Sequence, residues 1–108
     1  VIMALDSYTT QCKITTTTLT PILSNTGTES IHFGQIDIVN ESTIANTIDL
    51  VIVNNSIEYL WLRILIEKNG SRTTIENKIP YEIKSGMSLQ GRLATADTTG
   101  MSIHVHHT

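Results

Sequence analysis

Tyr59-Leu60-Trp61-Leu62-Arg63-Ile64-Leu65-Ile66-Glu67 is an apolar run that alternates inside itself. In an extended chain successive side chains point to opposite faces. Leu60, Leu62, Ile64 and Ile66 then share one face, and Tyr59, Trp61, Arg63, Leu65 and Glu67 the other. The pattern reads as a central strand with its Leu60 face in the core. Its second face, with Tyr59, Trp61 and Leu65, is too apolar for free solvation, so it is expected to be covered by the N-terminal segment or by another subunit. The run is too short to span a membrane, and Arg63 interrupts it.

The same period of two recurs on both sides. Upstream, Ile48, Leu50 and Ile52 alternate with Asp49, Val51 and Val53; downstream, Met101, Ile103 and Val105 are expected inward with Ser102, His104 and His106 outward. Residues 31–40 form another strand, with Gly34 marking a bulge or a close approach. Residues 87–95 place Leu89, Gly91 and Leu93 on one face. Residues 13–19 hold the threonine run Thr15 to Thr18, which has strong strand preference, and Pro21 ends that stretch or puts it on an edge. Pro80 would deny a donor to a central ladder, so residues 73–83 are read as an edge strand or an irregular crossover. Polar clusters rich in Asn, Ser and Gly separate these segments, among them Asn54-Asn55-Ser56 and the hairpin-like Lys68-Asn69-Gly70-Ser71.

Six or seven short strands, turns every eight to twelve residues and no helical period predict an all-β chain: a single antiparallel β-sandwich, jelly-roll-like, with an extended N-terminal arm. Residues 1–20 are the arm or first strand, and 21–108 the sandwich domain. At 108 residues the chain suits one domain.

Charge and cysteine content narrow the function. Charged residues make up 16% and the net charge is −3. The basic residues Lys13, Arg63, Lys68, Arg72, Lys78, Lys84 and Arg92 stand singly, without the basic stripe that nucleic-acid binding requires. No membrane partner is expected. Cys12 is the one cysteine, so no disulfide forms within the chain, which is compatible with assembly in a reducing cytoplasm. A low-charge surface rich in Thr, Ser and Asn is common where a subunit packs into a larger assembly.

The sequence contains no nucleophile elbow, phosphate-cradling glycine loop or dinucleotide fingerprint. No catalytic residue and no cofactor is therefore assigned. His104 and His106, at i and i+2 of one strand, point the same way and are weak candidate metal ligands, with His107 or His32 as a third; three copies about a threefold axis would supply six nitrogens. The plainer reading is an exposed polar face. Asp37 and Asp49, on adjacent predicted strands, are candidates for a carboxylate pair, against which stands the plainer reading of outward charges. Tyr59, Trp61, Leu65 and Tyr81 are the interface candidates, and Tyr59, Trp61 and Tyr81 would also suit a sugar-stacking platform.

From Ile31 onward the order of elements resembles a family of small tailed-bacteriophage virion proteins. The resemblance rests on Gln35-Ile36-Asp37-Ile38-Val39-Asn40 followed by a polar turn, residues 48–53, and a hydrophobic strand ending near Gly70. It continues through Ile79-Pro80, Gly86 to Leu89 followed by Leu93 to Ala96, and the closing strand after Gly100. It covers about two-thirds of the chain, which departs from the pattern in its longer crossover at residues 75–83 and its histidine-rich end. What it implies is a non-enzymatic structural protein of the virion, a capsid decoration or cement subunit or a neck- or tail-associated one. Partners would be other copies of itself and other virion proteins (capsid, portal or tail), with assembly in the host cytoplasm. The alternative is a tail-tip carbohydrate- or receptor-binding β-sandwich module.

Overall fold

A computed structural model describes residues 8–108. Eight strands follow one another: β1 (Tyr8–Ile14), β2 (Thr20–Ser24), β3 (Ile31–Asn40), β4 (Asn46–Asn54), β5 (Ile57–Ile66), β6 (Ser71–Ile83), β7 (Met87–Leu93) and β8 (Met101–His107). They form two four-stranded sheets, in the orders β1-β8-β3-β6 and β2-β7-β4-β5. Every neighbouring pair is antiparallel. The connection from β4 to β5 alone stays within a sheet, and every other one crosses to the opposite sheet. This is a jelly roll, the arrangement in which two sheets fold face to face through paired Greek keys. Among the described residues no helix is long and apolar enough to cross a membrane.

The two inner faces meet in one core. β3 contributes Phe33, Ile36 and Ile38, β4 contributes Ile48, Leu50 and Ile52, β7 contributes Leu89 and Leu93, and β8 contributes Met101, Ile103 and Val105. The slab measures 19 Å along its shortest axis, close to two sheets packed ~10 Å apart with their outer side chains. The alternation read for residues 48–53 and 101–106 holds in full, because both strands lie inside their sheets with a neighbour on each side.

The Tyr59 to Glu67 run behaves differently. As far as Ile66 it lies in β5, which ends its sheet beside β4 and is therefore an edge strand rather than a central one. The register with β4 slips between Leu50 and Val51, so that Leu62 faces Leu50, Leu60 faces Val51, and Trp61 is the extra residue. Such a bulge reverses the facing of every residue on its far side. Leu62, Ile64 and Ile66 keep the expected inward face. Leu60 is turned outward, 53% exposed, beside the 1% exposed Val51 on the sheet's outer surface. Trp61, expected outward, packs against the core.

Other expectations are corrected in the same way. Thr15 to Thr18 form no strand but carry the chain from one sheet to the other, held where Leu93 N donates to Thr16 O (2.8 Å) and Asp97 N to Thr15 O (2.9 Å). Strand preference yields here to the need for a crossing. The Lys68 to Ser71 turn is likewise a crossover rather than a hairpin. Of the two readings of Gly34, a bulge or a close approach, the bulge is the one found, since the register slips between Phe33 and Gln35 against both β6 and β8. Pro21 and Pro80 both lie on edge strands, β2 and β6, where a missing donor faces no partner. Within the segment 1–20, Tyr8–Ile14 is the first strand, an edge paired with β8. The arm expected ahead of it falls on residues 1–7, outside the described residues.

Buried asparagines close the ends of the sandwich. Asn25 directly follows β2; its Nδ2 donates to Glu29 O (2.7 Å) and Ile83 O (2.8 Å), and its Oδ1 accepts from Gly27 N (3.0 Å). Asn40 ends β3 and repeats the pattern, with Nδ2 donating to Ile44 O (2.9 Å) and Ile66 O (3.1 Å) and Oδ1 accepting from Ser42 N (3.1 Å). In both cases one amide satisfies its own loop and the end of a strand in the facing sheet. A backbone leaving a sheet would otherwise bury unpaired polar groups.

Candidate functional site

The outer face of β1-β8-β3-β6 is polar because its residues alternate with the core set. Register places Gln11, His104, Asp37 and Thr74 in one row across the sheet, and Lys13, Ser102, Val39 and Arg72 in the next. Thr9, His106 and Gln35 form a third. Asp37 is the hub. Its carboxylate accepts from Thr74 Oγ1 (2.7 Å), from Gln35 Nε2 (3.2 Å) and from His106 Nε2 (3.1 Å). The Thr74 hydroxyl first, and then His106 and Gln35, hold the Asp37 pKa below its ordinary value against the opposing effect of burial. His106 Nδ1 in turn meets Thr9 Oγ1 at 3.2 Å, which ties edge strand β1 to the two strands beside it.

His104 and His106 do share this face, as their spacing predicts. His107 points the other way, its Nδ1 donating to Thr108 O (2.8 Å) and its Nε2 lying 2.6 Å from Thr10 Oγ1. It also stacks on Tyr8, with ring centroids 6.1 Å apart. It cannot join the pair. Among the described residues no group of three or more His, Cys, Asp or Glu side chains is placed to hold a metal ion.

Asp37 and Asp49 are not brought together: β3 and β4 belong to different sheets, and the two carboxylates lie on opposite outer faces. Asp49 receives Arg63 Nε at 2.7 Å and Arg63 Nη2 at 3.0 Å, and Arg92 Nε at 3.1 Å. Arg92 also reaches Glu58 at 3.6 Å. The Arg63 hydrogen bonds, then those of Arg92, lower the Asp49 pKa. A carboxylate so fully paired is a structural clamp rather than an acid or base.

The interface candidates lie along β5 and β6, which end their respective sheets on the same side of the sandwich. Half-buried Trp61 and Tyr81 form an aromatic cluster with the fully buried Phe33: Phe33–Trp61 centroids are 5.4 Å apart edge-to-face, Phe33–Tyr81 5.5 Å stacked, and Trp61–Tyr81 5.9 Å edge-to-face. Outside it stand Ile57, Tyr59, Leu60, Leu65 and Ile79, with exposures of 53–60% on β5 and 85% at Ile79. Ile79 projects because β6 carries extra residues there, its pairing jumping from Tyr81 opposite Phe33 to Glu76 opposite Gln35. Sequence reading singled out Tyr59, Trp61, Leu65 and Tyr81 but passed over Ile57, Leu60 and Ile79. An apolar residue beside Pro80 on a predicted edge was the available signal for Ile79.

No protein-family model and no curated protein matches the sequence. Among solved structures, the chain is similar to the family 32 carbohydrate-binding module from C. perfringens NanJ in complex with galactose, at 16% identity and a TM-score of 0.48 over 74% of this chain. The chain spans 61% of that module's length.

Proposed function

We infer that this chain is a non-enzymatic structural protein of a bacteriophage virion, a decoration or neck-associated subunit that acts through repeated protein–protein contacts. The observation that carries the reading is the apolar margin of β5 and β6. Isolated exposed apolar side chains are ordinary, but five large ones on two neighbouring edge strands, β5 and β6, give that margin of the sandwich an apolar character suited to burial against protein. The resemblance of residues 31–108 to small tailed-phage virion proteins supports it, as does a fold that serves in capsid domains. Fold alone does not select that role over lectin-like ones. The alternative stacking platform has less support, because Trp61 and Tyr81 are turned onto Phe33 and onto each other.

Immunogold labelling of purified phage particles with antibody to this chain tests the reading. Labels at one regular station support it, and particles that lack the chain although infected cells make it overturn it. Replacing Leu65 and Ile79 together by Asp should abolish incorporation into particles while leaving the chain folded.

A further inference from the structure

The polar face of β1-β8-β3-β6 holds two contiguous depressions. One, of about 210 Å³, is lined by Gln11, Cys12, Lys13, Ser102 and His104. The other, of about 160 Å³, is lined by Asp37, Val39, Arg72, His104 and His106. They share His104, which forms no hydrogen bond with another side chain among the described residues, while His106 is engaged by Asp37 and Thr9. Lys13 and Arg72 flank the pair. Neither has a carboxylate partner among the described residues, whereas Arg63 and Arg92 are both paired. Lys13, Ser102, Val39 and Arg72 lie in one register row, so the two cations are separated by about 14 Å of backbone at ~4.8 Å per strand.

We propose that this face is a binding site for a carboxylate-bearing oligosaccharide laid across the strands, with Arg72, His104 and Lys13 as its principal contacts. Each depression has a volume of the order of one sugar ring, and the His104 they share suits two linked rings. Arg72 presents the planar fork that takes a carboxylate by two parallel hydrogen bonds. Val39, the one apolar residue in the row, offers a floor for the C–H face of a ring. Gln11, Ser102 and the His104 imidazole supply the mixed donors and acceptors that hydroxyl groups need. Asp37 decides against a compact dianion: fixed by Thr74 and His106 and ionised at neutral pH, it repels phosphate or sulfate in the smaller depression. A monocarboxylate sugar can instead turn a hydroxyl toward it. The site lies on the outer face of one sheet, away from the β5 margin, so it does not depend on the virion reading.

The test is NMR titration of the ¹⁵N-labelled chain with trigalacturonate, trimannuronate and α2,8-linked disialic acid, set against the methyl ester of trigalacturonate and inorganic phosphate. At least one of the three acids should bind, with amide shifts confined to the segments around Lys13, Asp37, Arg72 and His104. Arg72→Ala and His104→Ala should each weaken it fivefold or more, and Lys84→Ala, which removes a cation from a distant turn, should leave it unchanged. Thermal melts of each variant confirm that the fold is retained. Binding to none of the three acids, equal binding of the methyl ester or of phosphate, or shifts centred on β5 would overturn the proposal.

Discussion

Replacing Asn40 by Ala should unfold the molecule more readily than any surface change, and the size of the effect follows from its hydrogen bonds. Asn40 is 1% exposed, and its side-chain amide satisfies the carbonyls of Ile44 and Ile66 and the amide of Ser42. Truncation leaves two acceptors and one donor without partners. Each unsatisfied buried group costs about 1–3 kcal/mol, less where water can enter the vacated space. The expected loss is therefore about 3–5 kcal/mol, a large share of the ~5–15 kcal/mol that such a domain possesses. Urea unfolding followed through the fluorescence of Trp61, the single tryptophan, measures it. With a slope near ~2 kcal/mol/M the midpoint should fall by about 2 M. A loss below ~1 kcal/mol would refute the argument that Asn40 closes the sandwich end. Asn40→Asp gives a second handle. A carboxylate facing two carbonyls favours its protonated form when folded, so its folded pKa lies above the unfolded value. The variant's deficit against wild type should be smallest below pH ~4 and grow as pH rises. A deficit that does not change with pH would contradict this.

Three further outcomes are expected. Gly100 has φ +67, and an added Cβ would lie 2.3 Å from Ile14 O; Gly100→Ala should cost about 2–4 kcal/mol and lower the Tm by at least ~8 °C in a calorimetric scan. Asp49 has a pKa depressed by Arg63 and Arg92, so its contribution is present above the unfolded carboxylate value of ~3.9 and is lost as pH falls through the lower folded value. Accordingly, the stability gap between wild type and Asp49→Asn, measured by urea titration, should be widest near neutral pH and close in acid. Burial pushes the Cys12 thiol up to about 11, so iodoacetamide at pH 8 should label it roughly a hundredfold more slowly than the unfolded chain, in proportion to the scarcity of thiolate. Labelling at equal rates in both states would show the thiol to be accessible and unperturbed.

Much of the sandwich is legible in the residues of β3, β4 and β8. Each strand there has a neighbour on both sides, so the period of two in Ile36, Ile38, Ile48, Leu50, Ile52, Met101, Ile103 and Val105 passes directly into burial. The threonine run misleads because β preference describes a residue's backbone and not whether a strand neighbour awaits it. At Trp61 the alternation fails for another reason: a bulge is set by pairing with β4, and nothing within residues 59–67 marks which residue will be the extra one. The asparagine closures are partly visible, since Asn25 follows one strand and Asn40 ends another, each just before a polar loop. Their second partners, Ile83 and Ile66, are separated from them by 58 and 26 residues.

The candidate sites divide along the same line. The facing of His104 and His106 comes from the sequence, because alternation along one strand is a local property of the extended backbone. That Lys13, His104, Asp37 and Arg72 share one face comes only from the sheet order β1-β8-β3-β6, which brings together strands far apart in the chain. Asp37 and Asp49, neighbours by sequence, are separated for the opposite reason, as the chain crosses between sheets after β3. The sequence by itself determined an all-β sandwich and the inward residues of its central strands, through a period that needs no knowledge of partners. Strand order, the bulge at Trp61 and the apolar margin of β5 and β6 were decided only by tertiary structure, because each depends on which strand lies alongside.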